Sequence, residues 1–223
     1  SQAAASLGRR IAADIGGELH GAAARVAAQH SQDYAAWYSQ IPGLKVVMPY
    51  TAADAKGLLK AAIRDPNPVI FLENKMLYDM VGEVPDGAYT VPFGEARVVR
   101  DGSDVLLIAF GRMVQVAEEA ARKLASEGVS ACVIDPRTTS PLDEDTLLEF
   151  TEEIGRVVII DEANPRCGMA SDISALLADK CFHALKAPIK MVTAPHTPVP
   201  YAPNLEDAYV PSAAAIISAV KSI

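Results

Sequence analysis

Short unbroken apolar runs and longer amphipathic stretches alternate along the second half of the chain. The run DVLLIAF (104 to 110) is typical of a strand that is covered on both faces. Val116, Ala120 and Leu124 then repeat at helical spacing. Gly128 follows where the C-terminus of a helix favours a left-handed residue. This alternation predicts parallel strands joined by helical crossovers, so we predict an α/β fold with three α/β/α layers and a mostly parallel sheet.

The later elements continue the same order. The stretch TSPLDEDTLLEFTEEIG predicts a helix with Ser140 as N-cap and Pro141 at its first position. Further strands are predicted at 156 to 162 and 189 to 194, with a last helix from about Ser212 to Lys221.

The first half repeats the theme on a smaller scale. KVVMPY and PVIFLE predict strands on either side of a helix, where Thr51 and Asp54 fit an N-cap and an acidic first turn. From Met76 to Asp104 the chain is richer in Gly, Pro and charge, which indicates a crossing between two domains. We therefore predict domains at 1–88 and 89–223. Two strands leave the edges of the first sheet open, so we expect the rest of that sheet to lie outside this chain.

Composition excludes several classes of protein. The formal net charge of -8 repels phosphate backbones, so a nucleic-acid partner is not expected. No apolar run approaches the length of a membrane-spanning helix, and the first residues show no signal-peptide pattern. The three cysteines form no CxxC pair, and no glycine-rich phosphate loop of the GxGxxG or GKS type is present.

Several segments together resemble one family. GAAARVAAQHSQDYAAWYSQIPGLKVVMPY, IDPRTTSPLD, IIDEANPRCGMASDI and APHTPVPYAPNLEDAYVPS are similar to β subunits of the decarboxylase component of 2-oxo acid dehydrogenase complexes. Within this family, the segments resemble pyruvate and acetoin dehydrogenase β subunits most. The resemblance runs collinearly from about Gly21 to Ile223. It implies part of a thiamine pyrimidine-binding domain followed by a transketolase C-terminal-type domain.

The resemblance also implies a function. The chain would act with an α subunit in an α2β2 assembly, share thiamine diphosphate with it, and leave magnesium to the α subunit. The assembly would decarboxylate a 2-oxo acid and acylate a lipoyl group on an acyltransferase core. Pyruvate is the expected substrate. Acetoin or a branched-chain 2-oxo acid is the alternative substrate. The implied compartment is the bacterial cytoplasm or the mitochondrial matrix.

The sequence departs from the family pattern at its front. The stretch whose glutamate activates the thiamine aminopyrimidine is not in this sequence, and no strand is expected just before Gly21. A non-catalytic assembly subunit is therefore the second hypothesis. Lys186 also stands where several relatives have an acidic residue that helps to hold the acyltransferase core, so docking to that core could differ.

His30, in QHSQ, is the candidate catalytic and cofactor-binding residue. An imidazole titrates near neutral pH, so it can give and take protons in decarboxylation and acyl transfer. From the residues alone, a helix cap at about Ser31 is the alternative, whereas the resemblance places this histidine at the border of the thiamine site.

Two further groups of polar residues are candidates. After the helix ending near Ile63, the dipeptides Asp65-Pro66 and Asn67-Pro68 make a sharp turn, which from chemistry alone is a simple helix stop. The resemblance implies that this turn binds structural potassium. The implied ligands are Ala62, Ile63, Asp65 and Asn67.

Asp161 and Glu162 end a predicted buried strand, and the carboxyl ends of strands often line a crevice. Helix capping and pairing with Arg166 is the alternative that we favour for these two acids.

Overall fold

The computed structural model describes the backbone of residues 19–20 and the whole of residues 31–223. Its strands are β1 (Leu19–His20), β2 (Lys45–Val47), β3 (Val69–Phe71), β4 (Glu73–Asn74), β5 (Arg97–Arg100), β6 (Val105–Ala109), β7 (Ala131–Asp135), β8 (Thr138–Ser140), β9 (Val157–Asp161) and β10 (Lys190–Thr193). Its α-helices are α1 (Ala35–Ser39), α2 (Ala52–Arg64), α3 (Arg112–Ser126), α4 (Glu144–Ile154), α5 (Met169–Lys180), α6 (Pro203–Tyr209) and α7 (Ala213–Lys221).

A five-stranded sheet organises the second half of the chain, in the order β10-β9-β6-β7-β5. All neighbours pair in parallel except β5, which runs antiparallel to β7. Leu107 of β6 packs in one apolar cluster with α3 and α7, whereas Leu106 and Ile108 pack in the other with α4 and α5. These two clusters confirm the predicted three-layer α/β fold, because alternate strand residues face opposite helical layers.

A smaller sheet with the order β3-β2-β8 forms the first half. β2 and β3 are parallel, and α2 joins them as predicted, with Thr51 Oγ1 accepting a hydrogen bond from Asp54 N–H at 3.0 Å. The third strand, β8, comes from the second half of the chain and runs antiparallel to β2. One edge that we expected to be covered from outside this chain is therefore covered from within it.

The absence of a strand before Gly21 was a wrong prediction. β1 pairs in parallel with β4, in the register Leu19↔Glu73 and His20↔Asn74. Two residues are too few to show a hydrophobic period, which is why the sequence gives no sign of this strand.

The predicted helix start at Ser140 is also wrong. Ser140 ends β8, and its hydroxyl donates to the Leu44 carbonyl at 2.6 Å, across to the other half of the chain. α4 begins at Glu144 with Asp143 as N-cap, whose carboxylate accepts from Thr146 N–H at 3.1 Å. Serine and aspartate are both favourable N-cap residues. Because Ser140 is part of the strand that pairs with β2, Asp143 becomes the N-cap of α4.

Two further elements lie in stretches without long periodicity. β5 occupies part of the predicted crossing from Met76 to Asp104 and pairs with β7, and α6 follows the proline-rich loop around His196. None of the helices between residues 31 and 223 has the length and apolar character that crossing a bilayer requires.

The chain passes from the large sheet to the small sheet at Arg137. Its backbone is left-handed, with φ of 59°, and its carbonyl accepts from Met48 N–H at 2.8 Å. Its guanidinium donates to Asp54 at 3.2 Å through one nitrogen and to the Glu95 carbonyl at 2.9 Å through another. Its N–H donates to Asp135 Oδ1 at 2.9 Å, so backbone and side chain both join the two halves.

Asp135 ends β7 inside this junction. Its carboxylate is fully buried, and Oδ2 makes no hydrogen bond within the described residues. Burial raises the pKa of Asp135 to about 8; Asp54 acts in the same direction, while the hydrogen bond from Arg137 N–H opposes it.

Substitutions of Arg137 separate the contribution of its side-chain hydrogen bonds from the cost of its left-handed backbone. Arg137→Ala removes the side-chain bonds and keeps the left-handed strain, so we expect a loss of about 2–4 kcal/mol in the free energy of unfolding. Arg137→Gly removes the same bonds but accepts the positive φ, and should lose about 1 kcal/mol less. Denaturant titration of both variants measures the difference, and equal losses would contradict the strain.

Asp135 makes stability depend on pH. Its folded pKa lies above the unfolded value of about 4, so its contribution is fully present below about pH 4 and is lost as the pH rises to about 8. Asp135→Asn should therefore flatten the fall in unfolding free energy over that window. Urea titrations of both proteins across it measure the slopes, and parallel curves would show that Asp135 ionises normally.

Candidate functional site

The segment that follows His30 is the part of the predicted site that the structure describes. His30 itself lies outside the described residues. Ser31 is 2% exposed, and its hydroxyl makes no hydrogen bond within residues 31–223. Asp33 Oδ1 accepts from Ala35 N–H at 2.9 Å, so α1 begins at Ala35 with Asp33 at its start, later than the predicted opening near Ser31.

A cleft of about 360 Å³ separates this segment from the loops that follow β9 and β10. Its walls are of mixed polar and apolar character and include Ser31, Asp33, Trp37, Glu162, His196 and Tyr209. Because β9 and β10 are parallel neighbours, the loops after them emerge at the same edge of the sheet. The carboxyl ends of the strands in the second half therefore face the segment after His30.

One hydrogen bond joins the two halves beside this cleft. Asn74 Nδ2 donates to Glu162 Oε2 at 3.1 Å, and both side chains are buried. Asn74 Oδ1 accepts from Met76 N–H at 3.0 Å, which fixes the orientation of the amide. Sequence reasoning missed Asn74, although it is a polar residue at the carboxyl end of β4, as Glu162 is at the carboxyl end of β9.

Tyr209 lies between the polar groups of the cleft. Its hydroxyl accepts from Asn164 Nδ2 at 3.1 Å and donates to the Thr197 carbonyl at 3.3 Å. Burial raises the pKa of Tyr209; Asn164 lowers it, and the carboxylates of Glu162 and Asp33 raise it further. The two carboxylates that raise this pKa come from different halves of the chain.

Asp161 has a local structural role. Oδ1 accepts from Ala163 N–H at 3.0 Å, and Oδ2 accepts from Ala170 N–H in the first turn of α5 at 3.3 Å. This confirms helix capping for Asp161. Glu162, its neighbour, instead lines the cleft, which was the other reading of the pair.

A second cleft of about 260 Å³ lies at the carboxyl ends of β2 and β4. Tyr78 donates to Glu73 Oε2 at 2.9 Å along its wall. Burial, helped by the bond to Glu73, raises the pKa of Tyr78 to about 12. Asn74 lines this second cleft, while its hydrogen-bond partner Glu162 lines the first.

The predicted cation turn lies at the end of α2. Asp65 N–H donates to the carbonyls of Ala61 and Ala62 at 3.0 and 3.2 Å, and Asp65 Oδ1 accepts from Asn67 N–H at 2.9 Å. Oδ2 is paired with the ammonium group of Lys45.

Burial raises the pKa of Asp65, but the bonds from Lys45 and Asn67 outweigh it and hold the pKa below its usual value. Within the described residues, no three His, Cys, Asp or Glu side chains group as a metal site. The Asp65 carboxylate is therefore already paired with a cationic side chain, and the Ala62 carbonyl at the end of α2 already accepts a hydrogen bond from Asp65 N–H.

Two family models cover most of this architecture. The transketolase pyrimidine-binding domain matches residues 16–80, and the transketolase C-terminal domain matches residues 94–216. The second match alone spans more than half of the chain. This chain belongs to the transketolase C-terminal domain family. Its first half is part of a transketolase-type pyrimidine-binding domain, while the predicted boundary between residues 88 and 89 stays a prediction.

Several similar proteins are named as β subunits. The chain is 58% identical over 201 residues to the acetoin:2,6-dichlorophenolindophenol oxidoreductase subunit beta of Cupriavidus necator, and covers 60% of it. It is 54% identical to the protein of the same name from Bacillus subtilis and covers 58% of it. It is 50% identical to the pyruvate dehydrogenase E1 component subunit beta of Rhizobium meliloti and covers 44% of it. These matches include 89–91% of this chain, which thus spans 44–60% of the length of these relatives.

A solved structure shares the transketolase-type fold. It is described as a split gene transketolase, inactive beta4 tetramer, and matches with a TM-score of 0.72 at 26% identity. The match covers 87% of this chain and 62% of that one.

Proposed function

We propose that this chain is the β subunit of a thiamine-dependent dehydrogenase component that cleaves acetoin. The observation that carries the proposal is the identity of 58% and 54% to two acetoin oxidoreductase β subunits, against 50% to a pyruvate dehydrogenase β subunit. Acetoin, the alternative in the sequence analysis, therefore replaces pyruvate as the first substrate. A 2-oxo acid is the second candidate.

Thiamine diphosphate is the cofactor that a pyrimidine-binding domain would take. When bound, thiamine supplies the carbon nucleophile that attacks the substrate carbonyl. This chain's own contribution would be His30 as the proton donor and acceptor, with Ser31 beside it. A buried Ser31 hydroxyl without a hydrogen bond in the described residues fits a site that a second molecule completes.

An α subunit would complete the site by holding the diphosphate through magnesium. The names of the relatives, each a subunit beta, support such a partner. We propose the α2β2 assembly and transfer of the acyl unit to a lipoyl group on an acyltransferase core. The bacterial cytoplasm or the mitochondrial matrix stays our prediction for the compartment.

Lys186 bears on docking to that core. Its ammonium group donates to the Ile154 carbonyl at 2.8 Å, and its N–H donates to the Gly155 carbonyl at 2.7 Å, so it caps the C-terminus of α4. A side chain held in this way is less available to a partner than a free lysine, which supports a changed mode of docking.

Turnover by the assembled protein tests the function. With its α partner, thiamine diphosphate and magnesium, we expect kcat/KM for acetoin to exceed that for pyruvate. His30→Ala should lower kcat by about a hundredfold or more, because the proton-transfer group is lost.

His183→Ala is the matched control, since His183 is a largely exposed imidazole on the surface. Full turnover by the His30→Ala complex would favour the non-catalytic assembly subunit. Faster turnover of pyruvate than of acetoin would restore the first expectation from sequence.

We also propose that the turn formed by Ala62, Ile63, Asp65 and Asn67 binds potassium as a structural ion. The carbonyls at the end of α2 and the folded turn at Asp65 support this proposal. The ion would brace the end of α2 without taking part in the chemistry.

Potassium should then stabilise the protein. We expect a higher Tm in potassium chloride than in tetramethylammonium chloride at equal ionic strength, because only the smaller ion fits between carbonyls. Asp65→Ala, which opens the turn, should remove the difference, whereas Asp79→Ala at an exposed position should keep it. Equal Tm values for the unmodified protein in both salts would refute the site.

A further inference from the structure

Residues 76–84 form a loop, called loop 76–84 here, that presents apolar side chains to solvent. Val81 is 97% exposed and Tyr78 is 58% exposed, and Met76 and Val84 are exposed as well. Single exposed apolar residues are ordinary on protein surfaces, whereas four of them within nine residues are typical of a surface that a partner covers.

Both ends of loop 76–84 are fixed by hydrogen bonds. At its start, Asn74 Oδ1 accepts from Met76 N–H at 3.0 Å. At its end, Lys56 Nζ on α2 donates to the Pro85 carbonyl at 2.6 Å. The exposed side chains are therefore displayed from a loop that is anchored before any partner binds, which reduces the entropy cost of binding.

Two other side chains of the loop point toward the core. Leu77 and Met80 pack against the apolar cluster that contains Leu107, and Met80 N–H donates to the Leu77 carbonyl at 3.0 Å. The loop thus covers its own part of the core with these two residues. Its exposed apolar residues are left for a contact with another molecule.

The charges beside the exposed apolar residues all have one sign. No lysine or arginine occurs from residue 76 to residue 96, whereas Asp79, Glu83 and Asp86 are acidic and exposed. In a symmetric contact between two copies of this loop, each copy would present the same acids to the other, and like charges would repel. The whole chain also has a formal net charge of -8. The loop therefore fits a different polypeptide whose apolar surface is surrounded by basic residues.

We propose that loop 76–84 is a docking surface with an apolar centre at Tyr78 and Val81 and an acidic rim at Asp79 and Glu83. The occupant that we assign to it is the α subunit, so the inference rests on the proposed function. The facing surface of that subunit would be apolar in its middle and would carry lysine or arginine at its edge, as protein interfaces commonly combine an apolar centre with a polar rim.

The first test measures affinity for the α partner. Val81→Ser removes an apolar side chain that the complex would bury, so the Kd should rise by about tenfold or more. Because Val81 is almost fully exposed in this chain, the variant should keep the unmodified Tm, and lost affinity would not reflect lost folding. Isothermal titration calorimetry of this chain with the α partner measures the Kd.

Phe182→Ser is the matched control for this measurement. Phe182 is also a largely exposed apolar residue, but it lies just after α5 in the second half of the chain. Its Kd should stay within about twofold of the unmodified value.

A second test concerns the acidic rim. Glu83→Lys replaces an attractive charge with a repulsive one, so the association rate constant should fall by about tenfold at low ionic strength, and less at high ionic strength. Asp101→Lys makes the same change in net charge at an exposed position between β5 and β6, and should change the rate constant by less than about twofold. Stopped-flow mixing with the α partner at several salt concentrations measures both.

Several outcomes would overturn the docking surface. They are an unchanged Kd in Val81→Ser, an equal loss of affinity in Phe182→Ser, and an equal loss of association rate in Asp101→Lys. If Val81→Ser kept its affinity for the α partner but lost self-association, the loop would belong to a contact with a second copy of this chain, and the proposal would be wrong.

Turnover separates failure of this inference from failure of the proposed function. If the unmodified complex assembles but turns over neither acetoin nor a 2-oxo acid, the proposed function fails, whereas the Kd values still test the docking surface. Normal turnover of acetoin, with equal Kd values for the unmodified chain and Val81→Ser, overturns the docking surface alone.

Discussion

The left-handed turn at Arg137 carries the chain from the end of β7 in the large sheet to β8 in the small sheet within two residues. Neither half of the fold is independent after that step, because β8 supplies an edge to β2 while β7 stays between β6 and β5. The guanidinium of Arg137 then reaches back to Asp54 on α2. A positive φ at a non-glycine residue costs about 1–2 kcal/mol. It persists here because the backbone and the side chain of Arg137 are both held in place.

The location of the cleft follows from that turn. With β7 and β8 in different sheets, the carboxyl ends of the parallel strands in the second half are turned toward the first half. Loops at that edge carry Glu162 and His196 to the segment after His30. Asp135 is buried for a related reason: it ends β7 at the point where the chain crosses between the two sheets. Junction and cleft are therefore neighbouring parts of one interface between the two halves.

The sequence predicts the elements whose signal is local. Unbroken apolar runs locate β6 and β9 because each strand is buried on both faces, and the Thr51 cap is visible because its partner is three residues away. β8 reads TTS and becomes a strand through pairing with β2, so its signal is tertiary and not local. Asn74 and Glu162 lie 88 residues apart, and no spacing rule could join them. The proposal of His30 rests on the family resemblance and not on its sequence surroundings, which alone favour a helix cap.

The first family match ends at residue 80 and the second begins at residue 94, yet hydrogen bonds connect residues of the two matches. Asp54, Leu44 and Asn74 of the first match each bond to a residue of the second. A domain that served only to bind partners would have no physical reason to present a buried carboxylate to the first half of the chain, because desolvating that charge costs free energy that an apolar residue would save. Glu162 is buried at 6% exposure against an amide whose orientation is fixed. The cost is understandable if the carboxylate fixes geometry, since a hydrogen bond between fixed groups specifies one arrangement where apolar contact would permit several.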